Sequence, residues 1–421
     1  MRTPTTIPAI WLLSADIMST LGGGFRQQRW CEYILARGQS VRLFQISGPF
    51  TIQWVDVRSV EELREKRKAW MAAARPRAGI RDTRMARVGR FIKHVFMIDL
   101  FFPSLFRLIA IMRGMLTDAP QPVTLLCSSP PFAMGVAGRI MKALDGDRIV
   151  MALDMRDLWS LHTAFPGPKF QKRLVEKWVI GGADIFTTVA PALASRFKAW
   201  FGADAEVVYN VATQATDSAA PAADFTWSAL SPALCAESAK IVYTGSIPAG
   251  FYDLDGFLDA VEQFAATHSE KALQFVFVGA GGEIAARLQT RAIPKDMIVF
   301  VPQMSHAAIG DVQRAADILL FMGYSADDNQ GQVSIKLFEY FRREKPILPV
   351  HIRSESDVDW LIRFYCGKNV ELLTQDDLVN ILTTIARRDF STLPKADSVK
   401  EKDRTLLSAY DKITDVIVSR Y

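Results

Sequence analysis

Short apolar runs alternate with helical segments through most of the chain, and no other feature restricts its fold as strongly. The run AIWLLSA at residues 9–15 is followed by three glycines, by a helical pattern that ends at Gly38, and by a second apolar run, SVRLFQIS, at 40–47. A strand, a glycine-rich turn, a helix and a second strand in this order form the βαβ unit of a parallel sheet. The sequence therefore predicts an α/β architecture.

The alternation stops once and then starts again. Residues 212–239 are rich in Ala, Ser, Thr, Asp and Pro and hold few large aliphatic side chains, which is typical of a linker between domains. A chain of 421 residues, 49% of them hydrophobic, can bury two cores. We therefore predict two Rossmann-like domains, bounded as follows: an N-terminal domain at 1–212, a linker at 213–239, a C-terminal domain at 240–396 and a last helix at 397–421.

The first domain contains an insertion at 58–116. Residues 58–93 hold twelve Lys or Arg against four Asp or Glu in a pattern that predicts an exposed helix, and an apolar stretch follows at 95–116. Asp99 and Arg107 interrupt that stretch, which argues against a membrane-spanning helix. Two interpretations stay open: the insertion docks on an anionic lipid surface, or it packs on the first domain as a solvated helix.

Composition excludes several classes of protein. A net charge of +5 is small for this length and gives no argument for nucleic-acid binding. The four cysteines lie far apart, which favours buried thiols in a reducing cytoplasm over a zinc site or a disulfide framework. The first residues lack the pattern of a signal peptide. We therefore expect a cytoplasmic protein that does not bind nucleic acid.

Glycines follow several of the predicted strands. Gly22, Gly23 and Gly24 precede the first helix, where their backbone N–H groups could bind an anion or could form a tight turn without a ligand. In the second domain, Gly245 and Ser246 end the strand YTGS. Because ligands of open parallel sheets lie at the carboxyl ends of the strands, each of these turns is a candidate binding loop.

The run VGAGGE, which contains Gly279, is similar to a dinucleotide-binding fingerprint. Ile284 stands where the third glycine of that fingerprint would fall, and the next strand ends in Pro302 and Gln303 instead of an acidic residue. The sequence therefore disfavours a nicotinamide-dependent enzyme.

The run DMRDLW places Asp154, Arg156 and Asp157 at the end of a predicted strand. Two acids around an arginine form either a structural salt-bridge corner or a set of polar ligands that includes a proton acceptor. Both interpretations stay open.

The octet SIKLFEYF carries two charges among bulky apolar residues. Lys336 and Glu339 are three residues apart, on one face of a predicted helix. They could form an ion pair with each other. Alternatively the helix begins at a cleft, so that its N-terminus and Lys336 bind phosphates while Glu339 accepts hydrogen bonds from hydroxyl groups. A sugar nucleotide offers both kinds of group.

Together these motifs resemble the GT-B glycosyltransferases, in particular the large retaining family, family four, that includes bacterial polysaccharide and lipopolysaccharide transferases. The run SSPPFAMGVAGRIMK with MALDMRDLW is similar to a pattern of one subgroup, and KLFEYFRREKPIL, the most specific piece, is like the family's Lys-Leu-x-Glu-Tyr helix and the strand after it. The resemblance implies two Rossmann-like domains that face a central cleft, with the C-terminal helix crossing back to the first domain.

The resemblance also implies roles for residues of the second domain. Glu339 would bind the ribose of a nucleotide, and Lys336 would lie near the diphosphate. Further residues would line the donor loops or read the base: Gly245, Ser246, Gly279, Gln303 and Met304.

Other implied contacts come from the first domain and from one loop of the second. Gly22, Gly23 and Gly24 would approach the diphosphate or the acceptor, and Asp154 would lie near the transferred sugar. Many relatives carry a second glutamate eight residues before the one at Glu339, where this chain has Gly331. Contacts to the donor sugar would then come from the neighbours of that glycine, Gln330 and Gln332.

The resemblance thus implies a retaining, metal-independent glycosyltransferase without a cofactor. It would move a sugar from a UDP- or GDP-sugar to a glycan or lipid-linked acceptor in envelope or exopolysaccharide biosynthesis, at the inner face of a membrane. The catalytic candidates are Asp154, Lys336 and Glu339. Two alternatives stay open. One is a sugar-nucleotide epimerase or hydrolase of the same fold. The other is a non-catalytic nucleotide- or glycan-binding homologue, suggested by Gly331 and by the missing Arg and Lys pair after YTGS.

Overall fold

The computed structural model describes residues 7–14, 22–48, 51–73, 102–161, 168–211, 225–247, 250–268, 273–324, 331 and 333–421. The chain divides into two compact units. Unit 1 consists of Met1–Asn210 with Leu406–Tyr421, and unit 2 consists of Val211–Thr405.

Unit 1 contains a sheet with the strand order β3-β2-β1-β4-β5-β6-β7. Its strands pair in parallel except β3, which is antiparallel to β2. Its elements in chain order are β1 (Ile10–Ser14), α1 (Gly22–Ala36), β2 (Val41–Gly48), β3 (Thr51–Val57), α2 (Val60–Ala73), α3 (Leu105–Leu116), β4 (Val123–Ser129), α4 (Phe132–Asp145), β5 (Ile149–Met155), α5 (Lys169–Ile180), β6 (Ile185–Thr188), α6 (Pro191–Phe201) and β7 (Glu206–Val207).

Unit 2 contains a parallel sheet with the order β10-β9-β8-β11-β12. Its elements in chain order are α7 (Trp227–Leu230), β8 (Ala239–Thr244), α8 (Leu254–Ala265), β9 (Leu273–Val278), α9 (Gly281–Leu288), β10 (Ile298–Val301), α10 (His306–Ala315), β11 (Ile318–Met322), α11 (Ile335–Arg343), β12 (Ile347–Val350), α12 (Asp357–Cys366), α13 (Gln375–Ala386) and α14 (Val399–Val418).

The central strands are continuous apolar runs because helices cover both faces of each sheet. All residues of β1, β4, β8 and β9 are buried. In unit 1, Trp30 and Ile34 of α1 pack on this sheet, and in unit 2 Phe257 and Phe264 of α8 do the same. The predicted α/β class with two parallel-dominated sheets is confirmed.

The last helix belongs to both units. Near its start, Asp403 accepts hydrogen bonds from Arg342 at 2.6 Å and from the Tyr365 hydroxyl at 2.6 Å. Farther along, Tyr410 and Ile413 join the core of unit 1, where the Tyr410 ring lies 4.6 Å from that of Trp30. The predicted return of the C-terminal helix to the first domain is therefore confirmed.

The described part of the insertion at 58–116 bears on the two interpretations that its sequence left open. α2 covers the first part of the basic segment, and residues 74–101 lie outside the described residues. The apolar face of α3 is buried within unit 1 through Leu105, Leu108 and Met112. This face of α3 is therefore occupied by protein, as in the packed interpretation. Phe106 on the same helix is 68% exposed, and docking of the insertion on lipid stays a prediction.

Candidate functional site

The carboxyl edge of the unit 2 sheet gathers most of the residues predicted for the donor site. Gly245 and Ser246 follow β8, Gly279 follows β9, and Gln303 and Met304 follow β10. In a parallel sheet these strand ends share one edge. Two backbone hydrogen bonds join the turns to the sheet: Gly245 donates to Val278 at 2.8 Å, and Gly279 donates to Val301 at 2.9 Å.

Helix α11 begins at the same edge. Its N-cap is Ser334, whose hydroxyl accepts the backbone N–H of Lys336 at 3.4 Å. Four residues of the helix are buried in unit 2: Leu337, Phe338, Tyr340 and Phe341. Burial of these residues places Lys336 and Glu339 on the remaining face. The first turn of the helix adds N–H groups without intrahelical partners and the positive end of the helix dipole.

Lys336 is held in place by an aromatic ring and a glycine. Its Nζ donates to the Tyr243 hydroxyl at 2.7 Å and lies 4.4 Å from the centre of the same ring. Gly245 has φ +107, and a Cβ at this position would lie 2.6 Å from Lys336 Cε. Burial lowers the pKa of the Lys336 ammonium to about 8, although the charge of Glu339 opposes this shift. A bound anion would stabilise the charged form of this lysine and so raise its pKa again.

Glu339 lies one turn farther along α11 and is 15% exposed at its side chain. Its Oε1 is 3.5 Å from Nε2 of His306, the first residue of α10. In the described part of the chain, Lys336 and Glu339 have different partners, so the mutual ion pair that their spacing allowed is not formed. The carboxylate is therefore placed to accept hydrogen bonds from a ligand. The sequence pattern did not identify His306 as a site residue, although it is the first residue of the helix that follows Gln303 and Met304.

A buried hydrogen-bond network ties α11 to the end of β8. The Tyr340 hydroxyl accepts the backbone N–H of Thr244 at 3.1 Å. Thr244 Oγ1 accepts from Gln313 Nε2 at 3.0 Å, and Gln313 Oε1 accepts from Arg343 Nε at 3.0 Å. Tyr340, Thr244 and Gln313 are each at most 3% exposed. The network fixes the helix against the sheet and so fixes the position of Lys336 and Glu339. It was also missed, because its members are far apart in sequence.

A cavity of about 400 Å³ lies farther along the same edge. Residues after β11 and β12 line it, including Tyr324, His351 and Arg353, together with Asp253 at the start of α8. His351 Nε2 is 4.0 Å from an oxygen of Asp253, and burial lowers the pKa of this histidine despite the nearby acid. The volume is within the usual range of small-molecule pockets.

Asp154, the predicted catalytic residue of unit 1, is fully buried. It is paired with Arg26 of α1, whose Nη2 lies 2.5 Å from one carboxylate oxygen and whose Nε lies 2.8 Å from the other. Thr187 donates a further hydrogen bond at 2.7 Å. Burial alone would raise the pKa of Asp154, but the charge and hydrogen bonds of Arg26 outweigh it and hold the pKa below its ordinary value.

Arg26 also connects this carboxylate to the rest of unit 1. Its guanidinium donates to the Val208 carbonyl at 2.6 Å and to the Tyr410 hydroxyl at 3.3 Å. The salt bridge at this strand end therefore joins α1, β5 and α14. These contacts give Asp154 an architectural role, and its predicted role near the transferred sugar stays a prediction. Arg26 was missed because nothing near it in sequence marks a buried ion pair.

The glycine triplet forms the first turn of α1, which begins at Gly22, and is not a turn before the helix. Gly22, Gly23 and Gly24 thus contribute backbone groups at a helix N-terminus.

Gln330 and Gln332 lie outside the described residues. Gly331, between them, has φ +87, a backbone conformation that a glutamate rarely adopts. A glycine adopts this backbone without the strain that a side chain would add.

No protein-family model matches the sequence, and no curated protein matches it significantly. Solved structures do match it over nearly the whole chain. Sucrose-phosphate synthase from Thermosynechococcus elongatus aligns with a TM-score of 0.61 at 14% identity, covering 98% of this chain and 97% of that one. The lipopolysaccharide outer core galactosyltransferase WaaB aligns with a TM-score of 0.55 at 12% identity, covering 98% and 99%. The chain has the GT-B fold.

A third match is HepE of Anabaena, solved in complex with UDP-glucose. It aligns with a TM-score of 0.53 at 11% identity, covering 96% of this chain and 94% of that chain. At such identities the GT-B fold is shared, while the role of any single residue must be argued from this chain's own geometry.

Two further properties of the described residues bear on the site. They contain no group of three or more His, Cys, Asp or Glu side chains arranged to hold a metal ion. None of the helices described for this GT-B chain is long and apolar enough to cross a membrane.

Proposed function

We propose that this chain is a glycosyltransferase that moves a sugar from a UDP- or GDP-sugar to a glycan or lipid-linked acceptor in envelope or exopolysaccharide biosynthesis. In this proposal the enzyme retains the anomeric configuration, needs no metal and works at the inner face of a membrane. The observation that carries the proposal is the pairing of Lys336 and Glu339 at the first turns of α11, on the carboxyl edge of the unit 2 sheet.

The diphosphate of the donor would bind at the start of α11. Lys336 supplies a positive charge, and the helix N-terminus supplies backbone N–H groups. The Tyr243 hydroxyl and ring hold the ammonium in one position, so little reorganisation is needed when the anion binds. As the bond to the sugar breaks, negative charge grows on the diphosphate. The same groups would stabilise that charge and so lower the barrier to transfer.

The ribose of the donor would bind one turn farther along the helix. The carboxylate of Glu339 can accept hydrogen bonds from two neighbouring hydroxyl groups, and its half-buried position makes these bonds stronger than in water. The GT-B fold supports this arrangement, since a solved structure that shares it contains UDP-glucose.

A second candidate is a non-catalytic homologue that binds nucleotide or glycan without transferring sugar. The observation in its favour is Gly331, whose backbone conformation does not suit the glutamate carried there by many relatives. The run IPAGFYDLDG, which follows β8, holds acids but no Arg or Lys, and this also favours a non-catalytic homologue. A sugar-nucleotide epimerase or hydrolase of the same fold is a further alternative, and its products would distinguish it.

The site is tested by titrating UDP, GDP and ADP calorimetrically into the parent and into Glu339→Ala. We expect one nucleotide to bind the parent and to bind Glu339→Ala more weakly. Glu237→Ala is the matched control, since Glu237 lies before β8, at the opposite edge of the sheet. Equal affinity of the parent and Glu339→Ala would refute the site.

The reaction is tested separately with the sugar derivatives of the nucleotide that binds. Transfer to a saccharide acceptor supports the glycosyltransferase. An altered donor sugar indicates an epimerase, and free nucleotide without elongation of an acceptor indicates a hydrolase. Binding without any turnover supports the non-catalytic homologue.

A further inference from the structure

Helix α5 of unit 1 presents three large apolar side chains to solvent. Phe170, Leu174 and Trp178 are 65%, 56% and 42% exposed. They are spaced four residues apart, so they form one stripe along the helix, about 12 Å long from the first Cα to the last. We call this set the α5 stripe. Single exposed apolar residues are ordinary, whereas a continuous stripe on one helix indicates an interaction surface.

The orientation of α5 is fixed by its inner face, where Val179 and Ile180 are buried together with two charged side chains. Lys172 and Glu176 are 4% and 2% exposed. The Glu176 carboxylate accepts the backbone N–H of Ser160 at 3.1 Å, and Lys172 Nζ lies 5.6 Å from the centre of the Trp159 ring. Turning the stripe inward would expose these contacts. The stripe is thus held outward by the packing of unit 1.

Basic side chains flank the stripe. Lys169, Arg173 and Lys177 are exposed, and each precedes one stripe residue by one position. The only acidic residue of α5 is the buried Glu176. The guanidinium of Arg173 lies 4.0 Å from the centre of the Trp200 ring on α6, which is itself 37% exposed. The surface therefore combines aromatic rings, one leucine and a row of positive charges.

We propose that the α5 stripe docks this protein on an anionic lipid bilayer. Aromatic and aliphatic side chains of an amphipathic helix insert at the boundary between head groups and acyl chains. Lys and Arg side chains beside them keep their charged ends at the level of the lipid phosphates. The stripe supplies the first kind of group and Lys169, Arg173 and Lys177 supply the second.

Charge argues against a second copy of this chain as the occupant. In a two-fold symmetric dimer the same patch meets itself, so the basic side chains of one copy would face those of the other. An anionic bilayer instead offers the opposite charge over the whole surface. The surface is also different from the insertion at 58–116, whose α3 buries its apolar face in unit 1.

Docking rests on the membrane location in the proposed function and names the surface that would provide it, but it does not depend on the proposed reaction. It would hold the enzyme where a lipid-linked acceptor lies. Because nucleotide binding is assigned to unit 2 and docking to unit 1, either can fail without the other.

The test is flotation of the full-length protein with vesicles of phosphatidylcholine alone or with phosphatidylglycerol added. We expect the parent to float with the anionic vesicles and not with the neutral ones. One variant replaces the stripe (Phe170→Ser, Leu174→Ser, Trp178→Ser) and another the charges (Lys169→Gln, Arg173→Gln, Lys177→Gln). Loss of three cations should weaken binding on the order of 100-fold. The control is Trp360→Ser, because Trp360 is 38% exposed on α12 of unit 2.

Circular dichroism and nucleotide affinity show whether each variant is folded. Loss of flotation in both folded variants, with Trp360→Ser floating like the parent, supports the proposal. Equal flotation of the parent and the stripe variant overturns it. A second result would also overturn the proposal. In it, light scattering shows a dimer for the parent and a monomer for the stripe variant, and the parent does not float.

Discussion

At the scale of single residues, Lys336 is the group on which the proposed donor site depends most. Lys336→Met should weaken UDP or GDP binding roughly 10- to 100-fold, because a charge-assisted hydrogen bond to the diphosphate is lost. Binding of uridine or guanosine, which have no phosphate, should change little. Calorimetry with both ligands measures the difference. An equal loss for nucleoside and nucleotide would show that Lys336 does not contact the diphosphate.

The same lysine predicts a pH dependence. Its pKa in the free protein is lowered to about 8 by burial, so the side chain is increasingly neutral above that pH. A bound diphosphate favours the ammonium and raises the pKa, so binding takes up a proton in this range. Nucleotide affinity should therefore fall as the pH rises through 8, and the fall should be smaller in Lys336→Met. A parent whose affinity falls no more than that of the variant contradicts the assignment.

Gly245 offers a second test of the position of Lys336. Gly245→Ala places a methyl group against Lys336 Cε and also strains a backbone with positive φ. Gly250 in the same loop has φ +75, and a Cβ at that position would meet only open space, so Gly250→Ala introduces the strain alone. The strain alone should lower the free energy of unfolding by about 1–2 kcal/mol in each variant, and the contact with Lys336 adds to the loss in Gly245→Ala. Only Gly245→Ala should weaken nucleotide binding, and equal affinities of the two variants would contradict the contact.

At the scale of elements, the network between α11 and β8 positions the site. Tyr340→Phe leaves the buried N–H of Thr244 without its acceptor and should lower the free energy of unfolding of unit 2 by about 1–3 kcal/mol. Nucleotide affinity should fall as well, because the helix loses its link to the strand that leads into Gly245. Urea denaturation and calorimetry measure the two effects.

Tyr365→Phe, on α12, is the matched control for Tyr340→Phe on α11. Its hydroxyl donates to Asp403 of α14, so the loss of stability should be similar while nucleotide affinity is kept. Loss of affinity in both variants would mean that general destabilisation, and not the position of α11, is responsible.

The sequence predicts some elements of the fold correctly and misses others. The buried parallel strands were found because a strand covered on both faces must be apolar throughout, as in β8 and β9. β3 was missed because it is an edge strand in which only Val57 is buried, so that no apolar run marks it. The spacing of Lys336 and Glu339 predicted a shared helix face, but their partners Tyr243 and His306 come from distant elements, and only the folded chain brings them together.

At the scale of the whole molecule, the ion pair of Arg26 and Asp154 secures the C-terminal helix in unit 1. Arg26→Met leaves the fully buried carboxylate without its partner and should destabilise unit 1 by about 3–5 kcal/mol. The hydrogen bond to Tyr410 is lost too, so α14 should become more accessible to proteases. The sign of the pH effect follows from the lowered pKa of Asp154. Its stabilising contribution is present above the unfolded pKa and is lost as the pH falls through the folded one.

Replacing both partners separates architecture from catalysis at Asp154. Arg26→Met with Asp154→Leu removes both charges and should recover most of the stability that Arg26→Met loses, since no unpaired charge stays buried. If Asp154 acts only through α1, β5 and α14, the double variant should still transfer sugar. A folded double variant that binds nucleotide normally but has lost transfer would instead place Asp154 in the chemistry. Thermal unfolding, nucleotide affinity and the transfer rate of the two variants, measured together, decide between these roles.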